Sequence, residues 1–395
     1  MHSKAEYKNE SVLNNISSVH DCYGCGVCVV TCPSKIISIK INSDGFYEPA
    51  IDREENCTAC GLCLDVCSYS HNNLSVDNQP QKTYGAWSKD STIRKKCSSG
   101  GVGFEVGKQI ITQGGKVCGV CFDVEKNQAE HYVASSAEEL ISSIGSKYIQ
   151  SYTVDGFSEI IKQIKGSRKK GEKIEFLITG TPCQIDSFRR YVKKFRMEDC
   201  VVLMDFFCHG VPSKLMWDKY VAWTEKKVGK LTYVSWRNKF AGWHDSWAMS
   251  IVGKEHTFNS LFSQGDMFYK LFLSDTCLGN ACYDKCKFKY DKSAADIRIG
   301  DAWGSHYKDN EDGVSAVVAF TRNGIELLQK SNCELEELAF EVVAEGQMKK
   351  CSNRKPLSKL IVLMLKSRLR INGIFFQSGL LFQRIIAKII TIIKR

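Results

Sequence analysis

Residues 21–33 read DCYGCGVCVVTCP, and the cysteines in this stretch decide how the chain is read. Cys22, Cys25, Cys28 and Cys32 follow the spacing Cys-x2-Cys-x2-Cys-x3-Cys-Pro. The spacing returns 35 residues later as Cys57, Cys60, Cys63 and Cys67. Three thiolates two residues apart wrap one face of an iron–sulfur cubane. The fourth, one short helical turn further on, reaches the other cluster. The pattern therefore predicts two [4Fe-4S] clusters, one held by Cys22, Cys25, Cys28 and Cys67, the other by Cys57, Cys60, Cys63 and Cys32. Zinc sites use two Cys-x-x-Cys pairs rather than runs of three plus one. Gly24, Gly26 and Gly61 let backbone amides come close to the sulfides.

Residues 18–70 resemble the bacterial two-cluster ferredoxins. One departure stands out: Ser68 occupies a position where the second motif often has proline. The module, taken as residues 18–72, has few apolar residues and relies on its clusters for cross-links. It is expected to unfold without iron. The polar stretch Asn72–Gln81, with Pro80, reads as a linker.

The chain has 395 residues, enough for two or three domains. Its 43% hydrophobic and 25% charged content excludes disordered and fibrous classes. The net charge of +10 is concentrated at one end: Gly346–Arg395 holds 12 Lys or Arg and no Asp or Glu. The rest is near neutral, so a nucleic-acid binder with a basic folded face is not expected. Nineteen clustered cysteines, with a polar start at Met1–Asn15 that lacks an apolar h-region, favour metal ligation over disulfides. They also favour a reducing cytoplasm. No run of 18 uncharged apolar residues predicts a spanning helix.

From Lys82 onward, buried strands are predicted at 115–122, 174–179, 201–206, 297–300 and 314–320. Helices are predicted at 102–112, 158–165, 182–194, 214–226 and 322–330. The resulting architecture is α+β: the ferredoxin-type module, a larger α/β-type domain over 82–345, and a basic helical tail over 346–395. Two segments, each read as a strand-to-helix junction, carry chemical potential. Cys97-Ser98-Ser99-Gly100-Gly101 opens a helix with small residues, either as an anion-facing turn or as a tightly packed serine cap. In Thr179-Gly180-Thr181-Pro182-Cys183-Gln184, Thr181 suits the cap and Pro182 the first helical position. Cys183 then lies in the first turn, where the helix dipole favours thiolate. It is a redox thiol, a metal ligand or a buried cysteine. Cys208 follows the next strand, so it and Cys183 can share one sheet edge. With Cys282 and Cys286 they can form a third four-cysteine site. Cys277 remains ambiguous, and Cys97, Cys118, Cys121, Cys200, Cys333 and Cys351 read as core residues.

Six strings occur in one order: SSGG (98–101), GSKYIQS (145–151), TGTPCQ (179–184), CHGVPS (208–213), CYDKCKFK (282–289) and ADIRIGDAWG (295–304). Over residues 18 to about 320 the chain resembles the coenzyme F420 hydrogenase/dehydrogenase beta-subunit family, in its bacterial branch with a fused ferredoxin. The resemblance implies FAD beside a third [4Fe-4S] cluster. It places Ser98, Ser99, Gly100, Gly101, Ser146, Lys147, Tyr148, Thr179, Gly180 and Thr181 at the flavin, and Cys183, Cys208, Cys282 and Cys286 at the cluster. It also implies a redox partner or reduced electron carrier and a small-molecule substrate. Chains of this branch that lack a hydrogenase or formate dehydrogenase partner resemble proteins encoded with surface-polysaccharide enzymes. The expected activity is an iron–sulfur flavoprotein oxidoreductase; the alternative is a non-catalytic subunit that feeds electrons to a partner enzyme.

Five of seven tryptophans, Trp217, Trp223, Trp236, Trp243 and Trp247, fall close together, as a ring-binding wall or as core. His209 and His244 are candidate proton donors, and Arg237 and Lys239 candidate holders of an anionic substrate. In the tail, Phe382, Ile385, Ile386, Ile389, Ile390 and Ile393 share one helical face opposite Arg384, Lys388, Thr391 and Arg395. That face suits an anionic membrane surface, packing on the domain body, or a membrane-bound partner. The expected location is cytoplasmic, peripheral at the inner face of the membrane if the first option holds.

Overall fold

The computed structural model describes residues 14–393. Met1–Leu13, Lys394 and Arg395 lie outside it. The strands are β1 (Ile37–Ile41), β2 (Tyr47–Ile51), β3 (Lys82–Ser88), β4 (Lys116–Asp123), β5 (Gln128–Ala134), β6 (Ser151–Tyr152), β7 (Phe176–Thr179), β8 (Val201–Phe206), β9 (Leu231–Ser235), β10 (Ala248–Gly253), β11 (Thr257–Leu261), β12 (Ile297–Asp301), β13 (Ser315–Ala319) and β14 (Cys333–Glu337). They form a two-stranded hairpin, a three-stranded sheet and a nine-stranded sheet of order β14-β3-β13-β12-β8-β7-β4-β5-β6. At the centre of the large sheet, β12, β8, β7 and β4 run parallel. These are the strands with the apolar runs FLIT and VVLMDF, which suit positions covered on both faces. The outer strands pair antiparallel, apart from β6.

The predicted central strands and helices are present, with ends moved by a few residues. The helix expected at 158–165 is longer, Val154–Lys169. One element corrects the sequence reading: SSGG follows a short helix, Ser91–Lys96, not a strand. It does open a helix, Val102–Thr112, from Gly101.

In the ferredoxin-type module each cysteine run enters its helix through a left-handed glycine, Gly26 (φ 72°) or Gly61 (φ 71°). Only glycine takes that conformation at little cost. The module docks on the helix Pro182–Lys194. Ser68 N–H donates to Ser187 Oγ at 3.1 Å, and its hydroxyl donates to the buried Asp186 carboxylate. Cys25 Sγ approaches Ser187 Oγ at 3.3 Å. Lys287 Nζ reaches the carbonyls of Ser68, His71 and Asn73. The missing proline thus has a physical reason, because proline has neither an N–H nor a hydroxyl to offer. Ser68→Pro removes both bonds and leaves Asp186 short of a donor, a loss of about 1–3 kcal/mol per group. Faster proteolysis within 72–81 is the expected result, and an unchanged digestion rate would count against the docking role.

Buried ion pairs tie the large sheet together. Arg298 on β12 faces Asp205 on β8 with two bonds of 2.7 Å, both side chains fully buried. Arg189 meets Asp296 at 2.8 Å. The tail helices, Ser358–Lys366 and Ile374–Ile393, are not a separate unit. Ile361, Leu365, Ile371, Phe376 and Leu380 join the core that contains Trp217, Trp236 and Phe268.

Candidate functional site

Two small cavities in the module collect the expected ligand sets. One is lined by Cys22, Cys25, Cys28 and Cys67. The other is lined by Cys32, Cys57, Cys60 and Cys63. Cys60 is exposed, so the second set lies nearest solvent. Among the described residues, no three thiol, imidazole or carboxylate groups are placed to hold a single metal ion.

A third set of thiols converges at the carboxyl ends of the parallel strands. Cys183, in the first turn after β7, lies within electrostatic reach of Cys208, Cys282 and Cys25. Cys208, two residues past β8, interacts with Cys286, and Cys282 with both Cys208 and Cys286. Burial pushes the Cys183 thiol well up and Cys282 up to about 12, opposite to the dipole argument. Desolvation outweighs the helix end at Cys183, and thiolates in such a place need a cation for compensation. Cys277 is pushed up to about 12 by burial alone. It packs in the tryptophan core. Tyr23, next to Cys22, links the first and third sets. Its hydroxyl donates to the Lys285 carbonyl, and its ring meets Tyr69 and Phe288 edge-on at 5.4 and 5.8 Å.

Beside the third set opens a cavity of about 440 Å³. It sits outside the carboxyl ends of β7, β8 and β12, the usual ligand position on a parallel sheet. Cys208 belongs to its wall. Ser98, Ser99, Gly101, Ser146, Lys147, Tyr148, Thr179, Gly180 and Thr181 also line it. Gly100 does not: it packs against Ala86 and Ser315, where a Cβ would stand 2.3 Å from the Ala86 carbonyl oxygen. Ser98 Oγ accepts from Ser146 N–H at 2.9 Å, so the first two motifs meet. Lys147 Nζ donates to the carbonyls of Ser142, Ser143 and Ile144 at 3.3, 2.9 and 3.0 Å. Burial lowers it to about 8. Among the described residues it has no carboxylate partner, and an anion in the cavity would supply one. Further along the same motif, Gln150 bonds the backbone of Tyr23 and Tyr47, holding the module in place.

The aromatic segment splits. Trp217, Trp236 and Trp243 are fully buried core, while Trp247 lines the cavity with Trp303. Tyr148 stacks on Trp247 at 5.4 Å, and Trp303 stacks on Trp243 at 5.4 Å. Trp303 and Asp301 were missed in the sequence reading, although ADIRIGDAWG contains both.

Three sequence expectations need correction. Arg237 is neither a solvated residue nor a free anion holder: it is buried, 3.0 Å from Asp301 and within 4.6 and 4.8 Å of the Trp247 and Trp303 rings. Lys239 stands outside the cavity and props the SSGG turn through the carbonyls of Arg94, Ser99 and Asp312. His244 lies at the surface, 3.2 Å from Glu311. His209 does line the cavity, in close contact with Asp275 at 2.9 Å but not aligned as a hydrogen bond. Burial works to raise the Asp275 carboxyl, yet His209, Ser352 and Lys355 hold it below its ordinary value.

Comparison with known families agrees with this division. Residues 21–71 match the 4Fe-4S dicluster domain. Residues 83–155 match the N-terminal family model of the coenzyme F420 hydrogenase/dehydrogenase beta subunit. Residues 174–341 match the C-terminal model of the same family. Among solved structures, a chain of the xenon-derivatised F420-reducing [NiFe] hydrogenase complex from Methanosarcina barkeri is similar at 18% identity and a TM-score of 0.44. The likeness covers 73% of this chain and 88% of that one. No curated protein matches the sequence.

Proposed function

The chain belongs to the coenzyme F420 hydrogenase/dehydrogenase beta-subunit family, with a 4Fe-4S dicluster domain at its N-terminus, and we propose that it is a flavin-dependent oxidoreductase acting on a small organic substrate. The observation that carries this reading is Cys208, which belongs both to the third cysteine group and to the wall of the large cavity. The residues present suit the groups the family implies. Cys22, Cys25, Cys28 and Cys67, then Cys32, Cys57, Cys60 and Cys63, then Cys183, Cys208, Cys282 and Cys286 would each hold one cluster. Ser98, Ser146, Lys147 and Thr181 would hold the polar part of FAD, and Tyr148 and Trp247 would flank its ring. Bound there, iron–sulfur clusters supply one-electron transfer and a flavin converts between one- and two-electron chemistry.

The chain's own contributions follow from the geometry. Lys147, half-buried and tied to three backbone carbonyls, presents its positive charge to an anionic phosphate in the cavity. Trp247 and Trp303 exclude water from the cavity, and the Arg237–Asp301 pair fixes both indoles. His209, in close contact with Asp275, stands at the cavity wall as the candidate proton donor. A role in surface-polysaccharide metabolism belongs to the same proposal and awaits a substrate.

Anaerobic metal and flavin counts test the reading. About twelve iron atoms and one FAD per chain are expected; about eight iron and no flavin would remove it. Lys147→Ala is expected to weaken FAD binding by about 10- to 100-fold, the effect of one lost charge-assisted contact. Affinity equal to that of the unaltered chain would place the phosphates elsewhere. Reduction of a candidate substrate by the purified holoprotein and a chemical reductant, with no partner protein, separates an enzyme from a subunit that only feeds electrons to a partner.

A further inference from the structure

The basic tail carries an apolar face that folding leaves uncovered. In the helix Ile374–Ile393 the docking side consists of Phe376, Leu380 and Gln383, and Gln383 Nε2 donates to Thr276 Oγ1 at 2.7 Å. At about 100° per residue, Ile374, Phe375, Leu381, Phe382, Ile385 and Ile389 fall on the far side of the cylinder. All six are exposed, Phe375 at 61% and Phe382 at 58%. Of the apolar stripe read from the sequence, Phe382, Ile385, Ile389 and Ile390 are exposed and do not hold the tail to the body; the side chains of Thr391, Ile393 and Arg395 lie outside the described residues. Between the two faces runs an edge that carries Arg384 and Lys388. The neighbouring helix Ser358–Lys366 adds exposed Leu360 and Leu363, with Lys359 beside them and Arg368 and Arg370 just beyond. Among the described residues none of these five cations pairs with a carboxylate.

We propose that this face is the binding site for an anionic lipid bilayer. Exposed apolar side chains of this number mark an interaction surface, and charge selects the occupant. Gly346–Arg395 contains no acidic residue, so a second copy of the tail would bring like charges together. A bilayer with anionic headgroups meets both parts, taking the apolar side chains into its interface and the cations into its surface potential. Among the described residues no helix is long and apolar enough to cross a membrane. The helix lies along the surface, and its other face keeps the redox body attached.

Flotation of the full-length holoprotein tests this. With vesicles of equal phosphatidylcholine and phosphatidylglycerol it should float at low salt, float less at high salt, and stay at the bottom with phosphatidylcholine alone. Combined Phe382→Asp, Ile385→Asp and Ile389→Asp should abolish flotation with iron content unchanged, since these side chains are exposed and lie outside the buried core. Arg384→Glu with Lys388→Glu should weaken binding at least about tenfold. The proposal is overturned if the protein fails to float at low salt. It is also overturned if the triple variant floats as before, or if both vesicle types bind equally. A concentration-dependent dimer that the triple variant loses would assign the face to a second copy.

Discussion

Cys183→Ala and Cys282→Ala are each expected to remove up to about four iron atoms per chain, the content of one cubane, while the two N-terminal clusters keep their spectroscopic signals. The expectation rests on the convergence of four thiols from three separate parts of the chain. Electron delivery from an external reductant to flavin should fall by orders of magnitude, because these thiols reach from Cys25 of the module to Cys208 on the cavity wall. Cys277→Ala is the control. Its thiol is buried in the aromatic core and raised by burial alone, so the iron content of this variant should match that of the unaltered chain. Full iron in both of the first two variants would return those cysteines to the packing class. Iron loss in the control would reopen the ligand set.

Arg298→Leu is expected to cost about 3–5 kcal/mol of stability, because it strands the Asp205 carboxylate at a fully buried position between β8 and β12. The partner change decides whether charge is the cause. Adding Asp205→Leu removes the stranded carboxylate and should recover most of the loss, since a well-packed apolar pair often replaces a buried ion pair without penalty. Urea unfolding of both variants, with iron content measured beforehand, reads the difference. If the single variant unfolds at the same denaturant concentration as the unaltered chain, the pair contributes nothing and the register of β12 rests on backbone bonding alone.

Both predictions use contacts of long sequence separation, and the sequence was least informative there. Strands β1, β2, β3, β5, β6, β9, β10, β11 and β14 escaped notice because they lack the apolar runs of the large sheet's parallel centre. β14, CELEE, reads as a polar loop until it pairs with β3 as the edge strand of the large sheet, Glu337 against Lys82. The Ser68 substitution looked like a minor turn change. It became a docking residue only once the helix carrying Asp186 and Ser187 came to lie against it.

By itself the sequence determined the features whose geometry is local. A Cys-x2-Cys-x2-Cys run sets three thiols around one cavity wherever it is placed, and a run such as VVLMDF demands cover on both faces. A tail with twelve cations and no anions is basic in any fold. The tertiary structure alone decided that the Cys282 thiol interacts with Cys208 and Cys286 while burial alone acts on Cys277, though the two lie only five positions apart. It also decided that Arg237 is neutralised by Asp301, and that the apolar stripe of the last helix faces outward. The physical reason is the same in each case. Strand order and helix docking bring together groups far apart in sequence, such as Arg237 and Asp301 at 64 residues and Gln383 and Thr276 at 107, and burial then sets their charge and exposure, which spacing along the chain does not encode.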